Sequence, residues 1–340
     1  MNEHCSYNQW IKKLFAAEQT KRTDELNNII IRVDAGRIDG LSFGHLSRML
    51  VLDAIIQNTR NTQSLFLMKN YQEGIQQAKT KGVKVKTLPV AIDTAKEQTL
   101  ILDEIKAVAA DWLIIDLPQE NFEDAFYRQV GSLGCKIFYV DDACFKTPPV
   151  DVINNSSILA DNNTNRRTDQ QTQYFLGPDY FVVDEDEMNC EAVCKANVFN
   201  VVISFGGSDP SGLTLKATHA LLIKDWPNTL FRIVLGPGFA DADIVNALVS
   251  NRTDIEVIVN PQNLIAVLKG SDLTICAGGR TLYELYYLNK RCYPIATAKH
   301  EAETILEFRK KGLINYSMIE WSDSLFIDQL ELIISAKNKM

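Results

Sequence analysis

The alternation of short apolar runs with stretches of helical period is the feature that most constrains the fold of this chain. Apolar runs at residues 29–34, 64–69 and 111–117 predict buried strands, and the segments between them place apolar residues at helical spacing. Strands that alternate with helical patterns of about 10–15 residues indicate βαβ units and a parallel sheet. A second series of the same kind starts at residue 200. The sequence therefore predicts an α/β fold with two doubly wound, Rossmann-like halves.

The length of the chain agrees with two domains. Its 340 residues exceed one ordinary compact core, and a polar, Asn-rich middle interrupts the alternation after residue 150. Ligands of doubly wound folds bind at the carboxyl ends of the strands, so we expect the two domains to face each other across a cleft. We predict an N-terminal extension at 1–27, Rossmann-like domains at 28–185 and 195–322, and a C-terminal helix at 323–340.

The composition argues against several classes of protein. A formal net charge of −8 is unfavourable for nonspecific nucleic-acid binding, which needs a basic face. Apolar runs all fall short of the roughly 18 residues of a membrane helix, so we expect no integral membrane association. The N-terminal stretch does not read as a secretory signal, and the seven cysteines are scattered and odd in number. These features predict a cytoplasmic protein with reduced thiols.

The sequence predicts no metal and no cofactor. Cys190 and Cys194 are close in the chain, but no second Cys/His pair follows at zinc spacing. Asp141 and Asp142 end a predicted strand, where they would bind a metal, act as acid and base, or cap a turn. A Walker loop, a G-x-S-x-G elbow and an H-E-x-x-H helix are missing. The absence of G-x-G-x-x-G argues against a dinucleotide cofactor.

One of four histidines lies where the first strand gives way to a helix. The segment "DAGRIDGLSFGH" (34–45) combines glycines, which permit close approach of the backbone to a ligand, with His45 at a helix start. A histidine there can exchange protons with a substrate near neutral pH. The alternative is that His45 packs or caps the turn. Position alone leaves both interpretations open.

Two glycine pairs follow strands of the second half. Gly206 and Gly207 permit a tight turn, and Asp209 followed by Pro210 predicts a helix cap with proline at the first helical position. That role needs no ligand, whereas phosphate binding is the functional alternative.

The other pair opens the segment "CAGGRTLYELYYL" (276–288). Thr281 and Glu284 have the spacing of a capping box, in which Glu284 bonds the start of its own helix. The functional alternative is that the Glu284 carboxylate accepts hydrogen bonds from ribose hydroxyls while the helix start faces a phosphate.

Taken in order, five segments resemble the UDP-sugar hydrolases of pseudaminic acid biosynthesis. They are "IIIRVDAGRIDGLSFGHLSRMLVLDAI" (29–55), "YVDDACF" (139–145), "YFLGPDYFVV" (174–183), "VVISFGGSDPSGLTLKATHAL" (201–221) and "AGGRTLYELYYLNKRCYPI" (277–295). The resemblance covers about residues 28–310. It implies the GT-B architecture of one large glycosyltransferase class.

The resemblance also implies an activity and a site. Members of that family hydrolyse UDP-2,4-diacetamido-2,4,6-trideoxy-β-L-altropyranose to UDP and the free sugar without a metal. His45 would be the general base that activates water, and the second domain would hold UDP. The substrate and UDP contacts implied are Arg32, Asp34, Gly44, Gly206, Gly207, Ser208, Gly278, Gly279, Arg280, Thr281, Glu284, His300 and Glu301.

This chain departs from the family pattern at three places within the motifs, and its N-terminal extension and Asn-rich middle are also unusual. Ser42 stands where the family has a glycine, Arg280 where it has a small hydroxyl residue, and His300–Glu301 where it has Asn-Gln. These departures leave the sugar open. They also leave two alternatives: a GT-B glycosyltransferase that uses a UDP-sugar, and a non-catalytic protein that binds nucleotide sugars.

Overall fold

The chain divides into two compact units, residues 1–183 and 184–340. The computed structural model describes residues 8–16, 27–36, 38, 41, 43–118, 121–141, 147–160 and 171–336. Each unit has its own parallel sheet, as the alternation of strands and helices predicts. Across the described part of the chain, no helix is both long enough and apolar enough to cross a membrane.

The first unit has a sheet of seven parallel strands in the order β3-β2-β1-β4-β5-β6-β7. Its central strands are buried on both faces because helices cover them, which explains their continuous apolar sequence. A 3-10 turn at Pro178–Tyr180 follows the last strand. The strands are β1 (Asn27–Val33), β2 (Thr62–Lys69), β3 (Lys84–Leu88), β4 (Trp112–Asp116), β5 (Lys136–Val140), β6 (Val152–Asn155) and β7 (Gln173–Leu176), and the helices are α1 (Gln9–Ala16), α2 (Gly44–Thr59), α3 (Gln72–Thr80), α4 (Thr94–Val108) and α5 (Asp124–Ser132).

Helix α1 is part of the core of the first unit. Ile11 and Phe15 are fully buried in the same apolar cluster as β1 and α2. Trp10 packs on Phe175 of β7, with ring centroids 4.6 Å apart. The Asn8 side chain donates a hydrogen bond of 2.8 Å to the carbonyl of Val183. The amphipathic segment near the N-terminus therefore forms a helix that packs on the sheet near its last strand, β7.

The second unit has a sheet of five parallel strands in the order β10-β9-β8-β11-β12. Its helices enclose one large apolar cluster around the fully buried Phe231 and Tyr293. The strands are β8 (Phe199–Ser204), β9 (Thr229–Leu235), β10 (Ile255–Val259), β11 (Leu273–Ala277) and β12 (Cys292–Ile295), and the helices are α6 (Glu185–Met188), α7 (Leu213–Leu221), α8 (Ala242–Val249), α9 (Leu264–Lys269), α10 (Arg280–Tyr287), α11 (Lys299–Lys310) and α12 (Asp323–Ala336).

Both sheets have a point where the strand order reverses. In the first unit β1 lies beside β4, and in the second unit β8 lies beside β11. The chain winds outward in opposite directions from these pairs, which leaves a crevice at their carboxyl ends. His45 follows β1, whereas the two glycine pairs follow β8 and β11. The topology therefore brings His45 and the two glycine pairs to the switch points.

Candidate functional site

His45 is held by an aspartate at the end of the neighbouring strand. It is the second residue of α2, and its Nδ1 lies 2.7 Å from Oδ1 of Asp116, the last residue of β4. The parallel pairing of β1 with β4 places Asp116 opposite Val33, just before the loop that leads to α2. Only 9% of the His45 side chain is exposed, and Asp116 is fully buried. The switch point of the first sheet therefore carries a His–Asp pair.

Arg48 neutralises the buried carboxylate of this pair. Its Nε donates to Oδ2 of Asp116 and its Nη2 to Oδ1, both at 2.8 Å. Burial alone would raise the pKa of Asp116, but the charge of Arg48 and the hydrogen bonds from His45 and Arg48 lower that pKa to about 2. Asp116 is thus a permanent anion at neutral pH.

The contact with Asp116 determines the tautomer of His45. A ring nitrogen and a carboxylate oxygen approach to 2.7 Å only if a proton lies between them, so Nδ1 carries the hydrogen. Nε2 is then the basic nitrogen of the neutral ring. Nη2 of Arg48 also lies 3.2 Å from Nδ1, but it faces a protonated nitrogen and serves the carboxylate instead. The arrangement is that of a general base with an orienting carboxylate.

Arg32 and Asp34 form a second charged cluster at the same sheet edge. The Arg32 guanidinium makes two bonds of 2.7 Å to the Asp34 carboxylate and a third of 2.7 Å to Glu97. Lys69 donates its backbone N–H to Asp34 at 2.7 Å. Burial would lower the pKa of Arg32, but Asp34 and Glu97 raise it on balance. The cluster joins β1, β2 and α4.

A cavity of about 230 Å³ opens over this cluster. Leu117 and Pro118, which directly follow Asp116, form part of its wall. The predicted contacts Arg32 and Asp34 therefore line a polar cavity at the carboxyl edge, although their charged atoms already bond each other. Further lining residues are Lys69, Tyr71, Thr94, Glu97, Asn121 and Phe122.

In the second unit, Gly206, Gly207 and Ser208 form an exposed turn after β8. Gly206 has φ +86°, which only glycine adopts without strain. The predicted role of Asp209 is partly wrong. Its carboxylate does accept from the N–H groups of Leu213 (3.0 Å) and Thr214 (2.6 Å), but α7 begins at Leu213. Pro210 consequently precedes the helix instead of opening it.

The capping box predicted for Thr281 and Glu284 is wrong. Helix α10 begins at Arg280 with Gly279 at its N-cap, so Thr281 lies inside the helix, where its hydroxyl cannot serve as the cap. Glu284 instead accepts a hydrogen bond of 2.9 Å from Nε of Arg280, four residues earlier. Its side chain is 11% exposed. The pair therefore sits beside the start of α10.

Glu301 bonds the ends of β11 and β12. Its Oε2 accepts from the N–H of Thr297 at 2.9 Å, from the Thr297 hydroxyl at 2.6 Å and from the N–H of Gly278 at 3.3 Å. Ser211 donates its hydroxyl to the Thr297 carbonyl at 3.0 Å, which ties the loop after β8 to the same place. The three loops that carry the predicted UDP contacts therefore meet at one edge.

The remaining predicted residues are less constrained. Gly44 is the exposed first residue of α2, and His300 is exposed in the first turn of α11. Ser42 and Asp142 lie outside the described residues. Asp141 is buried and accepts from Nδ2 of Asn155 at 3.1 Å. Among the residues that the structure describes, no group of three His, Cys, Asp or Glu side chains is placed to hold a metal.

Gly278 leads to a stability prediction. A Cβ at this position would lie 2.9 Å from Cβ of Glu301 and 3.0 Å from its carbonyl oxygen. We expect Gly278→Ala to lower the free energy of unfolding of the second unit by about 1–3 kcal/mol, because the loop must shift. Gly207→Ala is the matched control, since its Cβ would meet no atom within 4 Å. Equal urea unfolding curves for the two variants would contradict the prediction.

Asp116 and Arg48 belong to the candidate site but were not predicted from the sequence. The available signal was a carboxylate at the end of the otherwise apolar strand "WLIID". An unneutralised charge in such a strand is costly, so a partner was to be expected. Arg48 lies three residues after His45, one helical turn along the same face of α2.

The class of fold follows from comparison with solved structures. MurG of Acinetobacter baumannii superposes with a TM-score of 0.62 at 12% identity, covering 90% of each chain. The spinosyn rhamnosyltransferase SpnG, solved with thymidine diphosphate, gives 0.62 at 13% identity over 91% of this chain and 92% of that one. A UDP-GlcNAc 2-epimerase from Neisseria meningitidis, bound to UDP-GlcNAc, gives 0.58 at 11% identity over 92% of each. The chain therefore has a two-domain, GT-B-like α/β fold, and the predicted fold class is confirmed.

Comparison of sequences gives weaker relationships. An uncharacterised protein of Methanocaldococcus jannaschii is 27% identical over 259 residues, which are 73% of this chain and 51% of that protein. The spore coat polysaccharide biosynthesis protein SpsG of Bacillus subtilis is 22% identical over 223 residues, which are 64% of this chain and 65% of that protein. The chain thus spans less than two thirds of the length of either relative. No protein-family model matches it.

Proposed function

We propose that this protein hydrolyses a UDP-linked deoxy amino sugar to the free sugar and UDP, without a metal or cofactor. The reaction would serve the cytoplasmic biosynthesis of a pseudaminic-type nonulosonic acid or another surface glycan. The observation that carries the proposal is the His45–Asp116 pair, held by Arg48 at the switch point of the first sheet. A buried base with a defined tautomer is costly to build and has no need to exist for packing alone.

The proposed reaction uses this pair as a general base. Nε2 of His45 takes a proton from water as the water oxygen bonds to the anomeric carbon. The bond between that carbon and the β-phosphate oxygen breaks, and its electron pair leaves with UDP. Asp116 stabilises the imidazolium that forms, because its carboxylate stays charged at neutral pH. The overall reaction converts one UDP-sugar and one water molecule to one free sugar and one UDP.

The nucleotide is assigned to the second unit. The turn at Gly206 and the glycine pair before α10 flank the β8–β11 switch point, where doubly wound sheets bind nucleotides. Arg280 lies at the first position of α10 and supplies a cation beside it. We propose that the Glu284 carboxylate accepts hydrogen bonds from the ribose hydroxyls. It would give up its hydrogen bond from Arg280 to do so. We assign the sugar to the cavity of the first unit that Arg32 and Asp34 line.

A glycosyltransferase is the second candidate. MurG and a rhamnosyltransferase superpose on the chain along nearly its whole length. The same His–Asp pair would then deprotonate a hydroxyl of an acceptor instead of water. The similarity to a spore coat polysaccharide biosynthesis protein agrees with either reaction.

Release of UDP without an acceptor distinguishes the candidates. We expect the purified protein to release UDP from at least one member of a panel of UDP-linked deoxy amino sugars, with water as the only nucleophile. A coupled assay for UDP, together with mass analysis of the free sugar, measures this. Turnover that begins only after an acceptor is added would replace the hydrolase by the transferase. UDP binding with no turnover under either condition would leave a binding protein.

A further inference from the structure

The start of α10 carries a negative side chain where an anion site would be expected. Helix α10 opens directly after Gly278 and Gly279, and an unoccupied helix start attracts phosphate. Here the Glu301 carboxylate already accepts the Gly278 N–H through Oε2. Both hydrogen-bond donors of Thr297 point to the same oxygen. The Gly278 N–H and both donors of Thr297 are therefore engaged.

The second oxygen of Glu301 faces the glycine pair. Oε1 would lie 3.2 Å from a Cβ built on Gly279, so it stands directly over the N-cap of α10. Glu301 is 9% exposed, and within the described parts of the chain Oε1 has no hydrogen-bond partner, since all bonds of this carboxylate go to Oε2. Solvent still reaches this oxygen, so a ligand group that donates a hydrogen bond can replace water there.

The carboxylates at this strand end affect the pKa of Cys276, which lies on β11 just before the glycine pair. Burial first, and then the charges of Cys292, Glu301 and Glu284, raise the pKa of the Cys276 thiol well above its usual value. Arg280 offsets one of the two carboxylates through its bond to Glu284. Glu301 itself has no cationic partner among the described residues.

We propose that Glu301 selects the charge of the group that binds over Gly279. Its Oε2 closes the Gly278 N–H to phosphate oxygens, and its Oε1 accepts a hydrogen bond from a hydroxyl or ammonium group of the ligand. This inference rests on the proposed function, because it takes the ligand to be a UDP-sugar at this edge. It adds that the diphosphate lies away from Gly278, toward Arg280, and that the sugar presents a donor to Glu301.

Glu301→Gln tests the proposal. The amide oxygen can replace Oε2 and keep its three hydrogen bonds, while the amide NH₂ turns the acceptor over Gly279 into a donor. We expect the affinity for UDP to rise about tenfold, because a like charge near the diphosphate is removed. The affinity for uridine should not change. The ratio of the affinity for the UDP-sugar substrate to the affinity for UDP should be about tenfold lower in Glu301→Gln than in the wild type.

Glu303→Gln is the matched control. Glu303 lies on α11 two residues after Glu301 and is exposed, so its exchange removes the same charge but none of the hydrogen bonds to Gly278 and Thr297. Titration calorimetry with uridine, UDP and the UDP-sugar measures all three proteins. Equal UDP affinities for the two variants would overturn the proposal. Absence of UDP binding by the wild type would remove the proposed nucleotide site itself, which is a different outcome.

Folding of the variant is checked separately. Glu301→Gln should melt close to the wild type, since its hydrogen bonds can be retained. If it does not fold, Glu301→Ala frees the Gly278 and Thr297 donors and should also tighten UDP. Loss of folding in both variants would assign Glu301 a purely structural role and overturn the proposal.

Discussion

Replacement of His45 by alanine is expected to slow the release of UDP at least ~100-fold, the usual contribution of a general base. UDP affinity should stay within about twofold, because His45 lies in the first unit and UDP is assigned to the second. Steady-state rates with the UDP-sugar substrate and calorimetry with UDP measure the two effects. A variant that turns over as fast as the wild type would remove His45 from the mechanism.

Asp116→Asn extends this prediction to the positioning of the base. The amide keeps the size of the carboxylate but not its charge, and its NH₂ can donate to Nδ1 and select the other tautomer of His45. We therefore expect a loss of about 100-fold in kcat with a small change in KM. Because both residues act as one unit, the double variant should be scarcely slower than either single variant.

A buried aspartate on the same helix supplies the control. Asp53 of α2 is 2% exposed and accepts a hydrogen bond of 2.8 Å from Gln57, within the helix and away from the His45 ring. Asp53→Asn also removes one buried charge from the first unit, yet turnover should stay within about threefold. An equal loss of rate in this variant would show that Asp116 acts through stability alone.

The sequence predicted the elements and the strand edges of the site well. Continuous apolar runs such as "WLIID" specify buried parallel strands, and the position of a residue after a strand determines which sheet edge it reaches. His45 and the glycine pairs were therefore located correctly relative to the strands. These are local properties of the chain.

The partners of those residues were not predictable in the same way. Asp116 is 71 residues from His45, and they meet only because β1 pairs with β4. The capping-box prediction failed for a smaller reason, because α10 begins at Arg280, two residues earlier than a cap at Thr281 requires. The position of Glu301 depends on the packing of α11 against the Gly278 loop, which no local pattern encodes.

The second large effect is a loss of stability in acid that depends on Asp116. The pKa of its carboxyl falls from 3.8 to about 2 on folding. This difference corresponds to on the order of 2 kcal/mol of unfolding free energy. A lowered pKa stabilises the fold above the unfolded value of 3.8, and the contribution is lost as the pH falls toward 2. The gap in stability between wild type and Asp116→Asn should therefore be full at pH 6 and shrink between pH 4 and pH 2.

Variants at Asp53 and Arg48 are the controls for this prediction. Burial raises the pKa of Asp53, and the hydrogen bonds from Ser64 and Gln57 lower it only in part. The gap between wild type and Asp53→Asn should therefore change with pH in the opposite direction. Exchange of both Arg48 and Asp116 for leucine should restore most of the stability that Asp116→Asn loses, because neither charge is then buried without its partner. The double variant should not regain turnover. Urea unfolding at several pH values measures each gap, and a gap for Asp116→Asn that does not vary with pH would refute the link to its carboxylate.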